Sequence, residues 1–336
     1  MDNIEQQVEE FLTHISIEKN YSQATVNTYR IALSIFTQFL LEKNILITDK
    51  KCIMLFIQHL NQRNNADVTI AHRLGALKSF FHYLVNKNII SKKKLPSIEK
   101  YKTTKKILPI PSDDEVNRFT DTIEQEYRQV KEKMKDLDKV NERIKAKYFS
   151  LFRDLTFFTL LIATGLRISE ALNIKIEDID WNHSTIKILG KGSKERLIFF
   201  GVDRLISLFT ELIKIRVELG IENSHLFISY RDRLVLTPRY FQQVMKEFLD
   251  KTPASSKYTP HTLRHYYATS SIEKGANIKA IAILLGHAYA ATTIEMYYHI
   301  SEKMLREVFE ATNPFSKIAL SVKEMMSKRY EVLVNL

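Results

Sequence analysis

Three short patches carry side chains that could handle a phosphate. In the first, Ala163-Thr-Gly-Leu-Arg167-Ile-Ser-Glu170, an arginine stands just beyond the glycine that closes an apolar run. An arginine on the buried side of a helix end is costly unless an anion pairs with it. Glu170 could be that anion and make the pair structural; an external anion is the other reading. In the second, Thr259-Pro-His261-Thr-Leu-Arg264-His265, His261 and Arg264 lie three apart on one helical face. His261 falls in the first turn, where free backbone N–H groups favour anions. One phosphate could meet a guanidinium, an imidazole and a helix N-terminus there. His261 and His265 also have the i, i+4 spacing of metal ligands, but no Glu follows the first histidine and no cysteine is near, so metal is disfavoured. The third patch is Leu284-Leu-Gly-His287-Ala, followed by Thr292-Thr-Ile-Glu-Met-Tyr297-Tyr298-His299. Alone, such a histidine caps a helix and such tyrosines pack a core.

The rest of the chain must position these patches. Its 336 residues suggest about two domains at roughly 150 residues each. Lys and Arg number 50 against 39 Asp and Glu, a formal charge of +11, which argues for a polyanionic partner such as nucleic acid or an anionic membrane surface. The longest apolar stretch, Leu155 to Leu166, has only 12 residues, too few to span a bilayer, and the N-terminus is acidic and polar rather than a signal peptide. A single cysteine, Cys52, excludes an intramolecular disulfide and a multi-cysteine zinc site. These features lead us to expect a soluble intracellular protein.

Before residue 96 there is no proline and one glycine, Gly75, so this part should be nearly all helix. Val26, Tyr29, Leu33, Phe36 and Leu40 share a helical face behind Ser22 as N-cap, and Ile70, Leu74, Leu77, Phe81 and Leu84 share another behind Asp67. Shorter helices are expected over 3–17 and 50–63. Residues 1–90 thus form a small helical domain, and 91–111 a basic linker. Positions 92–106 hold seven lysines and one glutamate, among them Lys92, Lys93 and Lys94. Such a segment is a solvated linker, a track for a phosphate backbone, or both. A second domain runs over 112–336, opening on the capping box Ser112-x-x-Glu115. Residues 121–147 hold 15 charges in 27, with apolar residues recurring from Ile123 to Ile144, and read as a solvated helical insertion. Thr185–Leu189 and Glu195–Phe200 read as a hairpin around Gly190-Lys191-Gly192-Ser193-Lys194. Thr259 and Pro260 read as the N-cap and first residue of another helix.

In this order the patches resemble the catalytic signature of the tyrosine recombinase (phage integrase) family, most closely its simple two-domain Xer-like members. The signature is an arginine after Thr-Gly-Leu, a hairpin lysine in Gly-Lys-Gly, His-x-x-Arg, Leu-Gly-His and a C-terminal tyrosine. Arg167, Lys191, His261, Arg264, His287 and Tyr297 occupy those positions. The family's tyrosine usually lies nine residues beyond the Leu-Gly-His histidine, where this chain has Met296; Tyr297 comes one later and keeps a Tyr-x-His ending through His299, with Tyr298 in reserve.

The resemblance implies a mainly α fold with a small β-sheet: a helical core-binding domain followed by an α+β catalytic domain. It implies a site-specific recombinase that cleaves and rejoins DNA through a 3′-phosphotyrosyl link, with neither metal nor cofactor. A type IB topoisomerase-like nicking enzyme and an idle DNA-binding regulator of the same fold are the alternatives. Arg73 and Lys78 would contact DNA from the first domain, unless they line a solvated helix face, and Lys194 would contact a phosphate. The apolar tail 314–336 would dock on a neighbouring protomer, giving a tetramer on two duplexes in the cytoplasm at the nucleoid. The helical domain begins almost at residue 2, which favours resolution or inversion over arm-dependent phage integration.

Overall fold

The computed structural model describes residues 2–103, 110–135, 140–190, 195–252, 258–286 and 302–313. The chain divides between Ile107 and Leu108 into two compact units. The fold is mainly α with one small antiparallel sheet.

The first unit has four helices, α1 (Asp2–Ile17), α2 (Gln23–Lys43), α3 (Cys52–Gln62) and α4 (Asp67–Asn86). The expected stripes on α2 and α4 meet in its core: Leu33, Phe36, Phe56, Ile70, Leu77 and Phe80 are all fully buried. Aromatic rings supply much of the contact, with Phe36 and Phe56 edge to face at 5.0 Å. Ser22 caps α2 by accepting from the Thr25 amide at 3.3 Å. The cap expected at Asp67 is corrected: Ala66 is the N-cap of α4, and Asp67 is its first residue, where a carboxylate meets the positive end of the helix dipole. With no glycine at the helix ends, asparagine turns the chain instead. Asn20, Asn44, Asn64 and Asn88, one after each helix, take positive φ of 50° to 55°.

The second unit is built around α6 (Glu142–Thr164). From Leu151 to Thr164 every residue of α6 is buried, so it is a helix wrapped on all sides. α5 (Asp113–Lys133), α8 (Asp203–Glu218) and α10 (Pro260–Glu273) pack on it. Ser112 and Glu115 form the reciprocal capping box that starts α5. The charged stretch 121–147 is shared between α5 and α6. Ile123, Tyr127 and Val130 are buried in the core, so the apolar recurrence there is packing and only the charges are surface. Within α6, Arg153 is 1% exposed and donates to Asp154 at 2.7 and 2.9 Å, to the Ile228 carbonyl at 2.9 Å, and to the Tyr240 hydroxyl of α9 (Pro238–Lys251). A buried ion pair so fully bonded ties three segments together.

After α7 (Ile168–Leu172) comes a three-stranded antiparallel sheet, β1 (Ile179–Asp180), β2 (Thr185–Leu189) and β3 (Glu195–Phe199). Thr185 pairs with Phe199 and Leu189 with Glu195, which sets the register of the expected hairpin. α11 (Ile278–Leu285) and α12 (Glu302–Thr312) complete the described elements. α12 is fastened to the same unit: Phe309 is buried beside Phe199, Arg306 donates to the His183 carbonyl at 2.6 Å, and Asn313 just beyond donates to the Ala163 carbonyl at 2.8 Å.

Two glycines give opposite expectations. Gly165, at φ +63°, ends α6; a Cβ there would lie 2.6 Å from both Leu285 and Tyr267. Gly165→Ala should destabilise the second unit by about 2–4 kcal/mol. Gly75, inside α4, has no atom within 4 Å of such a Cβ. Gly75→Ala should stabilise the first unit by about 0.5–1 kcal/mol through helix propensity. Urea denaturation of the two variants checks both signs.

Candidate functional site

Arg264 lies on the buried face of α10, one turn in from the end set by Thr259 and Pro260. The Thr259 amide donates to Thr262 Oγ1 at 3.2 Å, which fixes this start. Although only 4% exposed, Arg264 pairs with no carboxylate among the described residues: Nη1 donates to the Gly165 carbonyl at 2.8 Å and Nη2 to the Leu285 carbonyl at 2.6 Å. These oxygens stand at the C-terminal ends of α6 and α11, where helix carbonyls lack intrahelical partners and the dipole favours a cation. Burial, and next the charge of Arg167, push its pKa down to about 10, so it stays cationic at neutral pH.

Arg167 is the N-cap of α7 and keeps 39% of its side chain exposed. The expected partner is present. Nη1 donates to Glu170 Oε1 at 2.8 Å, and the Arg167 amide donates to Glu170 Oε2 at 2.9 Å. Nη2 approaches the Gly286 carbonyl at 3.5 Å. Glu170 is shared, however. Arg196 of β3 donates to its two oxygens at 3.1 and 2.8 Å. Burial is the largest single influence on Glu170 and opposes its ionisation. The hydrogen bonds from Arg196 and the Arg167 amide, with the nearby positive charge, outweigh it and hold the carboxyl below its ordinary pKa.

His261 is exposed on the first turn of α10, its ring 4.8 Å from that of His265. Partial burial first, then His265, Arg264 and Arg167, lower its pKa and so favour the neutral imidazole, the form able to accept a proton. The structure therefore joins Arg167, His261 and Arg264 in one cationic cluster. Among the described residues, no group of three or more His, Cys, Asp or Glu side chains could hold a metal ion.

Lys191, Lys194, His287 and Tyr297, with the reserve Tyr298, lie outside the described residues, as does the tail 314–336. The chain leads to two of them from described positions, since Gly190 follows β2 and Gly286 caps α11 beside Arg167. In the first unit, Arg73 is half-buried and donates to Asn65 at 2.9 Å, whereas Lys78 is exposed. Lys92, Lys93 and Lys94 form one exposed 3-10 turn. The sequence reading missed Arg196. Its signal was strand alternation, which puts it on the same face of β3 as buried Ile198, where an arginine needs an anion.

Comparison with known proteins follows the same division. The phage integrase family matches residues 127–304, and the phage integrase N-terminal SAM-like domain matches residues 8–88. The tyrosine recombinase XerC of Chlorobaculum parvum is 29% identical over 325 residues, covering 91% of this chain and 94% of its own. The tyrosine recombinase XerD of Staphylococcus aureus is 27% identical over 312 residues, covering 91% and 98%. In fold, the XerH recombinase bound to its difH substrate superposes with a TM-score of 0.60 at 24% identity, over 88% of this chain and 81% of that one. The Tn1549 transposon integrase in complex with circular intermediate DNA gives 0.61 at 17%, over 91% and 98%.

The double hold of Arg264 has a stability consequence. A lysine keeps the charge but cannot bridge two carbonyls with a planar fork. Arg264→Lys should destabilise the second unit by about 1–3 kcal/mol, read from its urea midpoint.

Proposed function

The chain belongs to the phage integrase family, and from that premise we propose that it is a site-specific DNA recombinase that exchanges strands through a covalent tyrosyl intermediate. The observation that carries this reading is the cluster of Arg167, Arg264 and His261, with Glu170 and two helix ends holding the arginines in place. Such a cluster suits a phosphorane, which gathers negative charge on oxygens that fixed donors can meet without reorganisation. The nicking–resealing and idle-regulator readings are not favoured: the similar proteins are recombinases or integrases by name, and the three described signature residues come together.

In this reading the Tyr297 hydroxyl attacks the scissile phosphorus, the bond to the 5′-oxygen breaks, and a 3′-phosphotyrosyl ester forms. His261 accepts or orients the phenolic proton. Lys191, from the hairpin turn, gives a proton to the leaving 5′-oxygen, and His287 adds a hydrogen bond to the phosphoryl oxygens. A 5′-hydroxyl of the partner strand then reverses the step. One phosphodiester becomes another of similar energy, so neither ATP nor a metal enters the scheme.

Residues 1–90 act as the core-binding domain, 91–111 as a basic linker and 112–336 as the catalytic domain. Lys78, Lys194 and the run Lys92–Lys94 meet phosphates. Arg73 is the weaker contact because Asn65 already engages it. The tail 314–336 joins protomers into a tetramer on two duplexes, at the nucleoid.

Two experiments test the reading. Adjacent side chains leave the backbone in different directions, so the reading assigns the attack to one of the two tyrosines, Tyr297. With DNA carrying the site recovered from cells, Tyr297→Phe should abolish the covalent protein–DNA adduct and Tyr298→Phe should retain it. An adduct mapped by mass spectrometry to Tyr298 would reverse the assignment, and full activity in both variants would sink the tyrosine mechanism. Replacing Lys92, Lys93 and Lys94 together by Ala should flatten the salt dependence of duplex binding by up to about 3 in log–log slope. An unchanged slope would leave the linker lysines as solvated surface.

A further inference from the structure

The Glu170 carboxylate is in an unusual position for a site that must attract a phosphate. It orients Arg167 at two points, the side chain at 2.8 Å and the amide at 2.9 Å, but a carboxylate this close also cancels the charge it orients. With Arg167 alone as partner, the pair would be neutral overall, and a phosphate would gain little from the guanidinium. Arg196 changes the balance. Its Nη1 and Nη2 take both carboxylate oxygens, at 3.1 and 2.8 Å.

Arg196 is itself poorly placed to meet a phosphate. Its side chain is 16% exposed against 39% for Arg167. It lies beneath the backbone of Gly286, where an added Cβ would come within 3.0 Å of its Cζ and Nη1 and 3.2 Å of its Nε. Nε is buried with no acceptor among the described residues. The two arginines thus divide the work: one is covered and bonded to the carboxylate, and the other keeps an outward edge.

We propose that Arg196 is a positioning residue for strand cleavage: it neutralises Glu170, so that the carboxylate can hold Arg167 in place without cancelling the charge Arg167 presents to the scissile phosphate. This rests on the recombinase reading above. Arg196 also lies two positions beyond the Lys194 end of the hairpin turn, so its bonds to Glu170 fasten β3, the strand that leaves this turn, to the arginine cluster.

The test is single-turnover cleavage of a nicked suicide duplex built on the DNA that co-purifies with the protein. Arg196→Met leaves Glu170 paired with Arg167 alone and should slow cleavage by about 10- to 100-fold, with duplex affinity changed by less than about threefold. The double variant Arg196→Met/Glu170→Gln removes both charges. It should cleave at least about fivefold faster than Arg196→Met, a recovery that a purely structural ion pair would not give. Arg196→Lys keeps the counter-charge and should stay within about fivefold of wild type, which carries the test even if the methionine variant does not fold. A double variant no faster than Arg196→Met, or a lysine variant slowed by more than about tenfold, would overturn the role of Arg196 while leaving the recombinase reading intact. Absence of any covalent adduct from the wild-type protein would overturn both.

Discussion

Arg264 donates to the ends of two helices that are far apart in the chain, the Gly165 carbonyl 99 residues before it and the Leu285 carbonyl 21 residues after it. Helix C-termini repel one another because each ends in carbonyls without partners. A guanidinium between them satisfies one oxygen from each and reverses that repulsion. The close approach also requires Gly165, because a side chain there would strike Leu285 and Tyr267. The turn leading into Arg167 and the turn ending at Gly286 therefore share one cation. A residue that reads as a phosphate ligand is equally a keystone of the catalytic fold, and binding and folding cannot be fully separated at this position.

The cluster around it is rich in positive charge, which among the described residues meets the carboxylate of Glu170. Arg167, Arg196 and Arg264 gather near Glu170, and burial first, then the nearby cations, lower the pKa of both Arg264 and His261. Without an anion present, such a cluster stores electrostatic repulsion that a bound phosphate relieves. The depressed pKa of His261 is thus part of the same design. Burial and the neighbouring charges act on the imidazole in the same direction, both disfavouring its protonated form.

Much of this arrangement was legible in the sequence, and the legible parts share a cause. Helical stripes on α2 and α4, the Ser112–Glu115 box, the Thr259–Pro260 start and the strands around Gly190 are local patterns, fixed by residues a few positions apart. The pairing of Arg167 with Glu170 was open to reading for the same reason. Arg264 was legible as an arginine that wants an oxygen, but its partners are backbone carbonyls, which any residue could supply. Arg196 escaped because its carboxylate is 26 positions away, on α7, and only the tertiary fold brings that helix and β3 together. At Asp67 the error was one of phase: the chain enters α4 a residue earlier than a side-chain cap would require.

The four asparagines that end the helices of the first unit have a consequence that lies outside the folded structure. Glycine adopts positive φ without strain, but it also gives the unfolded chain more conformations to lose. Asparagine tolerates the left-handed region through its short polar side chain while restricting the disordered chain more than glycine does. With Asn20, Asn44, Asn64 and Asn88 at these turns, part of what holds the bundle together is freedom withheld from its denatured ensemble. The helical unit begins its folding from a narrower set of conformations than a glycine-terminated bundle of the same length.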